Sequence, residues 1–149
     1  VICVSDHAAG SLMLLDRKNR LLFSGDELGT PAYKEIRTTV ERYAKNVDRL
    51  YEHIDEIDLI MGGGFVYDYM ILFRQKKCLE LILDGQPGQQ YLPPHIIEPK
   101  PDPEGRIIMP RRFPDQARMI SRLQDGYENK RIMTYGYCSI IYFADKIFD

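Results

Sequence analysis

Two periodicities divide the chain. Near its start the apolar positions come in short runs, the signature of strands. Val1–Val4 reads as one strand and Ser11–Leu15 as a second. The polar turn 16–20 leads to a third strand, Leu21–Ser24, and a Gly25-Asp26 corner. A polar turn between two such runs predicts a hairpin. The hairpin brings His7, just before its first strand, to the same end as Asp26, just after its second. The period then lengthens: Ile36, Val40, Tyr43, Val47, Leu50 and Ile54 recur every three or four residues. That spacing predicts an amphipathic helix over Ala32–His53, with Thr30 as its cap and Pro31 in its first turn. Lys34, Glu35, Arg37, Glu41, Arg42, Lys45 and Asp48 fill its solvated face.

Further along, Ile57–Met61 predicts a buried strand that runs into Gly62-Gly63-Gly64, a tight loop. A second helix is predicted over Val66–Leu83, stopped by Asp84-Gly85. Residues 86–110 hold seven prolines and read as an ordered surface excursion, followed by a short helix over 115–124. Strands at Arg131–Tyr135 and Cys138–Phe143, joined by Gly136-Tyr137, close the chain.

Composition narrows the function classes. The 149 residues suffice for one domain with a core, and the formal net charge of −2 supplies no basic field for nucleic acid or an anionic membrane. No apolar run reaches the ~20 residues of a membrane helix. Three well-separated cysteines (Cys3, Cys78, Cys138) in apolar settings fit buried thiols in a reducing, cytoplasmic compartment. The first residues form a strand without an initiator methionine, so the chain is expected to be a fragment. The three glycines lack a following Lys-Ser or Lys-Thr, so a phosphate-binding P-loop is not supported.

An imidazole and a carboxylate at one hairpin end are a candidate pair of ligands for a divalent metal such as zinc. Each has an ordinary alternative: His7 bonded to its own loop, Asp26 capping a turn. The text Ser5-Asp6-His7-Ala8-Ala9-Gly10-Ser11, an aliphatic strand, a charged turn and Leu22-Phe23-Ser24-Gly25-Asp26 resembles the second half of the metallo-β-lactamase-fold hydrolases. Their pattern there is "PGHxxGS", a strand and "LFxGD". The resemblance covers about the first 85 residues well. It implies an α+β fold, half of a four-layer αββα sandwich, with mixed sheet and flanking helices.

The resemblance also implies a site. His7 matches the family's third histidine and Asp26 the aspartate that bridges two metals, zinc in the first instance, or iron or manganese. In the family, metal-bound hydroxide attacks an ester, thioester, amide or phosphodiester. Two departures stand out. The first ligand cluster, HxHxDH, is nowhere in the chain and would lie upstream of residue 1. The last histidine, of a "PGHG"-like loop, aligns with Gly63, which has no ligating side chain. Metal binding by this chain alone is therefore expected to be weak. Turnover without the missing half is not expected.

Other residues bear on the same site. His95 is a candidate stand-in for the lost histidine; Tyr142 and Asp145 are candidates for the rim. Asp6 reads as turn-forming, and His53 as a surface residue near a helix end. Ser11 is structural, since no GxSxG elbow surrounds it. The competing function is a degenerate, non-catalytic member serving as a binding or dimerisation module. Half of a sheet sandwich leaves an apolar face uncovered. The expected partners are thus the missing N-terminal half or a second copy, with a small-molecule substrate, and neither nucleic acid nor membrane.

Overall fold

The computed structural model describes residues 1–30, 33–91 and 129–149. Its elements in chain order are β1 (Ile2–Cys3), β2 (Leu12–Asp16), β3 (Leu21–Gly25), β4 (Tyr33–Glu35), α1 (Val40–Tyr51), β5 (Leu59–Gly62), β6 (Phe65–Asp68), α2 (Met70–Leu83), β7 (Gln89–Gln90), β8 (Lys130–Tyr135) and β9 (Cys138–Phe143). They build an α+β fold with two mixed sheets, β1-β2-β3-β5-β6 and β4-β9-β8-β7.

The predicted hairpin is present. β2 and β3 pair antiparallel, with Asp16 opposite Leu21. The turn between them closes on Asp16, whose carboxylate accepts the Asn19 backbone N–H at 3.1 Å and its side-chain amide at 2.7 Å. The closing strands also form as expected, in register from Lys130–Phe143 to Tyr135–Cys138 across Gly136, which takes φ 62°.

Both predicted helices begin too early. The first starts at Val40, capped by Thr39, whose Oγ1 accepts the Arg42 N–H at 3.3 Å. Upstream, Tyr33–Glu35 is strand β4, paired parallel to β9. There Lys34 is buried between an exposed Tyr33 and a half-buried Glu35, a two-residue period rather than a helical one. Ile36 fits either pattern, so the helical period continues through it. Thr30 instead turns the chain, its Oγ1 accepting the Tyr33 N–H at 3.1 Å. Pro31 lies outside the described residues. Past Tyr51 the chain passes into a 3-10 turn, Ile54–Glu56.

The second helix starts at Met70 because Phe65–Asp68 pairs back on β5 as β6. Gly63 and Gly64, at φ 57° and 77°, supply the positive-φ pair that a two-residue hairpin turn favours. Asp68 Oδ1 then accepts the Met70 N–H at 2.9 Å, and the helix ends at Asp84-Gly85 as predicted. From the proline-rich stretch residues 86–91, which include β7, are described; His95 and the expected helix over 115–124 lie outside the described residues.

Each sheet buries one face toward the helices. Met13, Leu22, Ile60 and Tyr67 pack with Leu50, Ile71 and Leu72. Ile140, Met133 and Tyr142 pack with Val40, Tyr43, Val47, Leu79 and Ile82. The opposite face of the five-stranded sheet stays open, with Leu12, Leu14, Phe23, Leu59, Met61 and Val66 all exposed. Among the described residues no helix is long and apolar enough to cross a membrane.

Candidate functional site

The loop after β1 carries His7 and is fixed by the backbone on both sides. Val4 N–H donates to the Ser11 carbonyl at 3.1 Å, and Ser11 N–H to the Ala8 carbonyl at 3.2 Å. Gly10, at φ 78°, makes the return possible. After β3 the chain turns sharply, with Glu27 N–H on the Ser24 carbonyl. That turn separates two neighbouring carboxylates. Asp26 points outward, its side chain 64% exposed, while Glu27 turns into the protein and is buried.

The buried carboxylate holds the histidine loop. Glu27 Oε2 accepts the Asp6 N–H at 3.2 Å, and its Oε1 accepts the His7 N–H at 3.1 Å. One dipeptide thus presents Asp26 to the cleft and clasps the backbone that presents His7. The two outward groups meet: His7 Nε2 lies 3.7 Å from Asp26 Oδ2. This is too long for a hydrogen bond. It is close to the spacing of two donors on one tetrahedral zinc, about 3.4 Å for bonds of about 2.1 Å.

Beneath them lies a buried ionic core. Asp6 Oδ2 and Lys34 Nζ are 2.7 Å apart, with side chains 0% and 2% exposed. The other oxygen of Asp6 accepts from Thr38 Oγ1 at 2.6 Å, Thr38 N at 3.1 Å and Arg37 N at 3.3 Å. Lys34 Nζ also sits 5.3 Å from the centre of the Tyr43 ring. The buried Tyr43 hydroxyl bonds Gln75 Oε1 at 2.8 Å, and Gln75 in turn donates to the Leu28 carbonyl at 2.8 Å. Burial, and next the negative charge of Asp6, push the Tyr43 phenol well above its ordinary range.

Above this core is a cleft of about 270 Å³ lined by His7, Asp26, Gly29, Lys34, Arg37 and Gly63. Arg37 Nη1 donates to the His7 carbonyl at 3.2 Å, so a guanidinium stands at the rim. Gly63 enters the cleft from the β5–β6 turn, whose Gly63 N–H is pinned to the Gly25 carbonyl at 2.8 Å. A Cβ at position 63 would fall 2.3 Å from the Gly29 carbonyl oxygen, besides facing an unfavourable φ. The neighbouring backbone occupies the place a side chain would take.

Family models, curated proteins and solved structures were all compared with this chain, and none matches.

The remaining candidates fall elsewhere. Tyr142 is buried in the second core, its hydroxyl accepting the Gly88 N–H at 3.1 Å, and it lines a different cleft with Arg131 and Ile147. Asp145 is exposed on the turn after β9. His53 Nδ1 contacts Glu56 Oε1 at 2.8 Å on the surface, which holds the Glu56 carboxyl below its usual range. Ser11 gives the loop its backbone bonds. Among the described residues no group of three or more His, Cys, Asp or Glu is arranged to hold a metal.

Sequence reasoning missed Glu27, Lys34 and the true role of Asp6. Asp6 is neither a ligand nor a simple turn former; it is the buried anion that ties the histidine loop to β4 and the start of α1. No local signal marks Lys34 as buried: its pairing with Asp6 depends on β4 lying beside β9, which the residues around it do not announce.

Proposed function

We propose that this chain supplies two ligands, His7 and Asp26, of a divalent-metal centre in a hydrolase of the metallo-β-lactamase fold, and that it forms the C-terminal half of that fold. The reading rests on the 3.7 Å separation of His7 Nε2 and Asp26 Oδ2 at the mouth of one cleft. A zinc, iron or manganese ion held between them would supply Lewis acidity and acidify water toward neutral pH. The residues of this chain have separate parts in that work. His7 offers a neutral imidazole nitrogen, and Asp26 a carboxylate that offsets cationic charge. Glu27 holds the His7 backbone so that its ring stays over the cleft. Arg37 at the rim would orient an anionic part of the substrate. The reaction would be water attack on an ester, thioester, amide or phosphodiester of a small molecule. Among the described residues Cys78 and Cys138 are free buried thiols, which supports a reducing, cytoplasmic setting.

Zinc titration of the purified chain tests the proposal. Binding should be weak and of one ion per chain, and His7→Ala or Asp26→Ala should each lower the affinity by at least about tenfold. Zinc uptake indifferent to both substitutions removes the site.

One observation favours the non-catalytic alternative, a degenerate member that binds a ligand or a partner. Position 63, where the resemblance places a last histidine, is closed to any side chain by the Gly29 carbonyl. If that loss is built into the backbone, Gly63→His should fail to raise zinc affinity. A gain in affinity would instead favour the hydrolytic reading.

A further inference from the structure

Helix α2 buries Ile71, Leu72, Cys78, Leu79 and Ile82, all apolar or thiol-bearing, and with them Gln75, which is fully buried. A buried amide is costly unless both its ends are bonded, so its partners indicate what it holds. Gln75 lies 2.8 Å from the Leu28 carbonyl oxygen and 2.8 Å from the Tyr43 hydroxyl. A carbonyl can only accept, so Nε2 must face Leu28. Oε1 is left for the phenol, which must donate. Burial holds the Tyr43 phenol well above its ordinary range, so that proton stays in place. The same hydroxyl stands 3.4 Å from the Glu27 carbonyl oxygen. One polar side chain from each helix thus reaches the backbone of the two residues that follow Asp26.

We propose that Tyr43 and Gln75 are positioning residues that fix where Asp26 and His7 stand relative to each other; this rests on the reading of those two as metal ligands. Asp26 lies within two overlapping turns, Glu27 N–H on the Ser24 carbonyl and Gly29 N–H on the Asp26 carbonyl. Surface turns held by single backbone bonds open at little cost. Here the helices anchor their inner side, through the Glu27 and Leu28 carbonyls. Tyr43 also bears on the arm of the other ligand. Lys34 Nζ sits 5.3 Å from the centre of its ring and 2.7 Å from the carboxylate of Asp6, the neighbour of His7. Glu27, its own backbone anchored, accepts the Asp6 and His7 N–H groups. Both ligand arms therefore lean on one tyrosine, and one glutamine sets that tyrosine. The packing of α1 on α2 is passed in this way to the spacing of the two ligands.

Hydrogen exchange of the metal-free full chain, followed amide by amide, provides the test. Gln75→Met keeps the volume and removes both amide bonds, while Tyr43→Phe removes the hydroxyl alone. In each, the Asp6, His7 and Gly29 N–H groups should lose protection relative to the amides of the β2–β3 ladder. The relative loss should be about tenfold in Gln75→Met and smaller in Tyr43→Phe, which keeps the bond to Leu28. Leu79→Ala, a core substitution on the same helix, should lower overall stability and leave that ratio unchanged. Zinc titration then reads the ligands themselves: affinity should fall severalfold in both variants, with His7 and Asp26 intact. Protection that stays level, or that falls equally in Leu79→Ala, overturns the proposal, as does unchanged zinc affinity in variants of a zinc-binding parent. A parent chain that binds no zinc yet shows the selective loss of protection removes the metal reading and leaves the positioning of the two side chains standing.

Discussion

At the scale of single residues, the site depends on which carboxylate is buried and which is not. Asp6 and Glu27 are withdrawn from solvent, Asp26 is left open, and it is Asp26 that meets the His7 ring, while Glu27 holds the His7 backbone. Removing Lys34 would strand Asp6 Oδ2 without its counter-charge. Lys34→Met is therefore expected to lower stability by about 3 kcal/mol, since breaking a buried pair leaves an uncompensated charge. The double variant Lys34→Met with Asp6→Asn should recover part of that loss, because the amide keeps an acceptor for Thr38. Chemical denaturation midpoints of the three proteins decide it. Glu27→Ala should weaken zinc binding without touching either ligand, while Glu27→Gln, which retains an acceptor, should restore most of the affinity.

Elements carry their own predictions. Thr39→Ala should destabilise by about 1 kcal/mol through loss of the α1 cap, whereas Thr30→Ala should leave helix content unchanged. Circular dichroism with thermal melting separates the two and tests where the helix begins. In the β5–β6 turn, Gly63→Ala meets both a left-handed φ and the Gly29 carbonyl, while Gly64→Ala meets the φ alone. The first should cost about 2–3 kcal/mol and the second about 1, in denaturation experiments. The charged end of the sheet sets an acid limit. Hydrogen bonds from Asn19 hold the Asp16 carboxyl below its usual range, and the bond from Arg20 does the same for Asp58. A depressed folded value means that the unfolded chain takes up the proton first. Their contribution is thus complete above about pH 4 and lost as pH falls through the folded values. Melting temperature should drop on acidification through that window, and less so in Asp58→Asn.

For the molecule as a whole, the sheets and helices share one design: each sheet spends one face on the helices, and the larger sheet keeps its other face apolar and uncovered. Half of a sheet sandwich is expected to leave one apolar face uncovered. Pairing in space extends it to β5 and β6. His7 and Asp26 sit past the strand end, whereas Phe23 and Met61 lie on the sheet face, so Phe23→Lys should retain zinc binding in the titration that His7→Ala impairs.

The hairpin, the period of α1, the glycine stop of α2 and the closing strand pair all follow from local pattern, because each is fixed by neighbours a few residues apart. His7 and Asp26 were readable for the same reason: one hairpin brings them together. What local pattern could not supply is pairing between distant segments. Tyr33–Glu35 becomes a strand only because β9 offers its edge, and Phe65–Asp68 only because β5 does. Asp6 and Lys34 find each other only once β4 is laid beside the histidine loop. Glu27 turns inward because two backbone N–H groups, twenty residues upstream, would otherwise lack acceptors there. Sequence determined which groups could meet across a turn; tertiary structure decided which charges were buried, since burial is a property of everything packed around a residue.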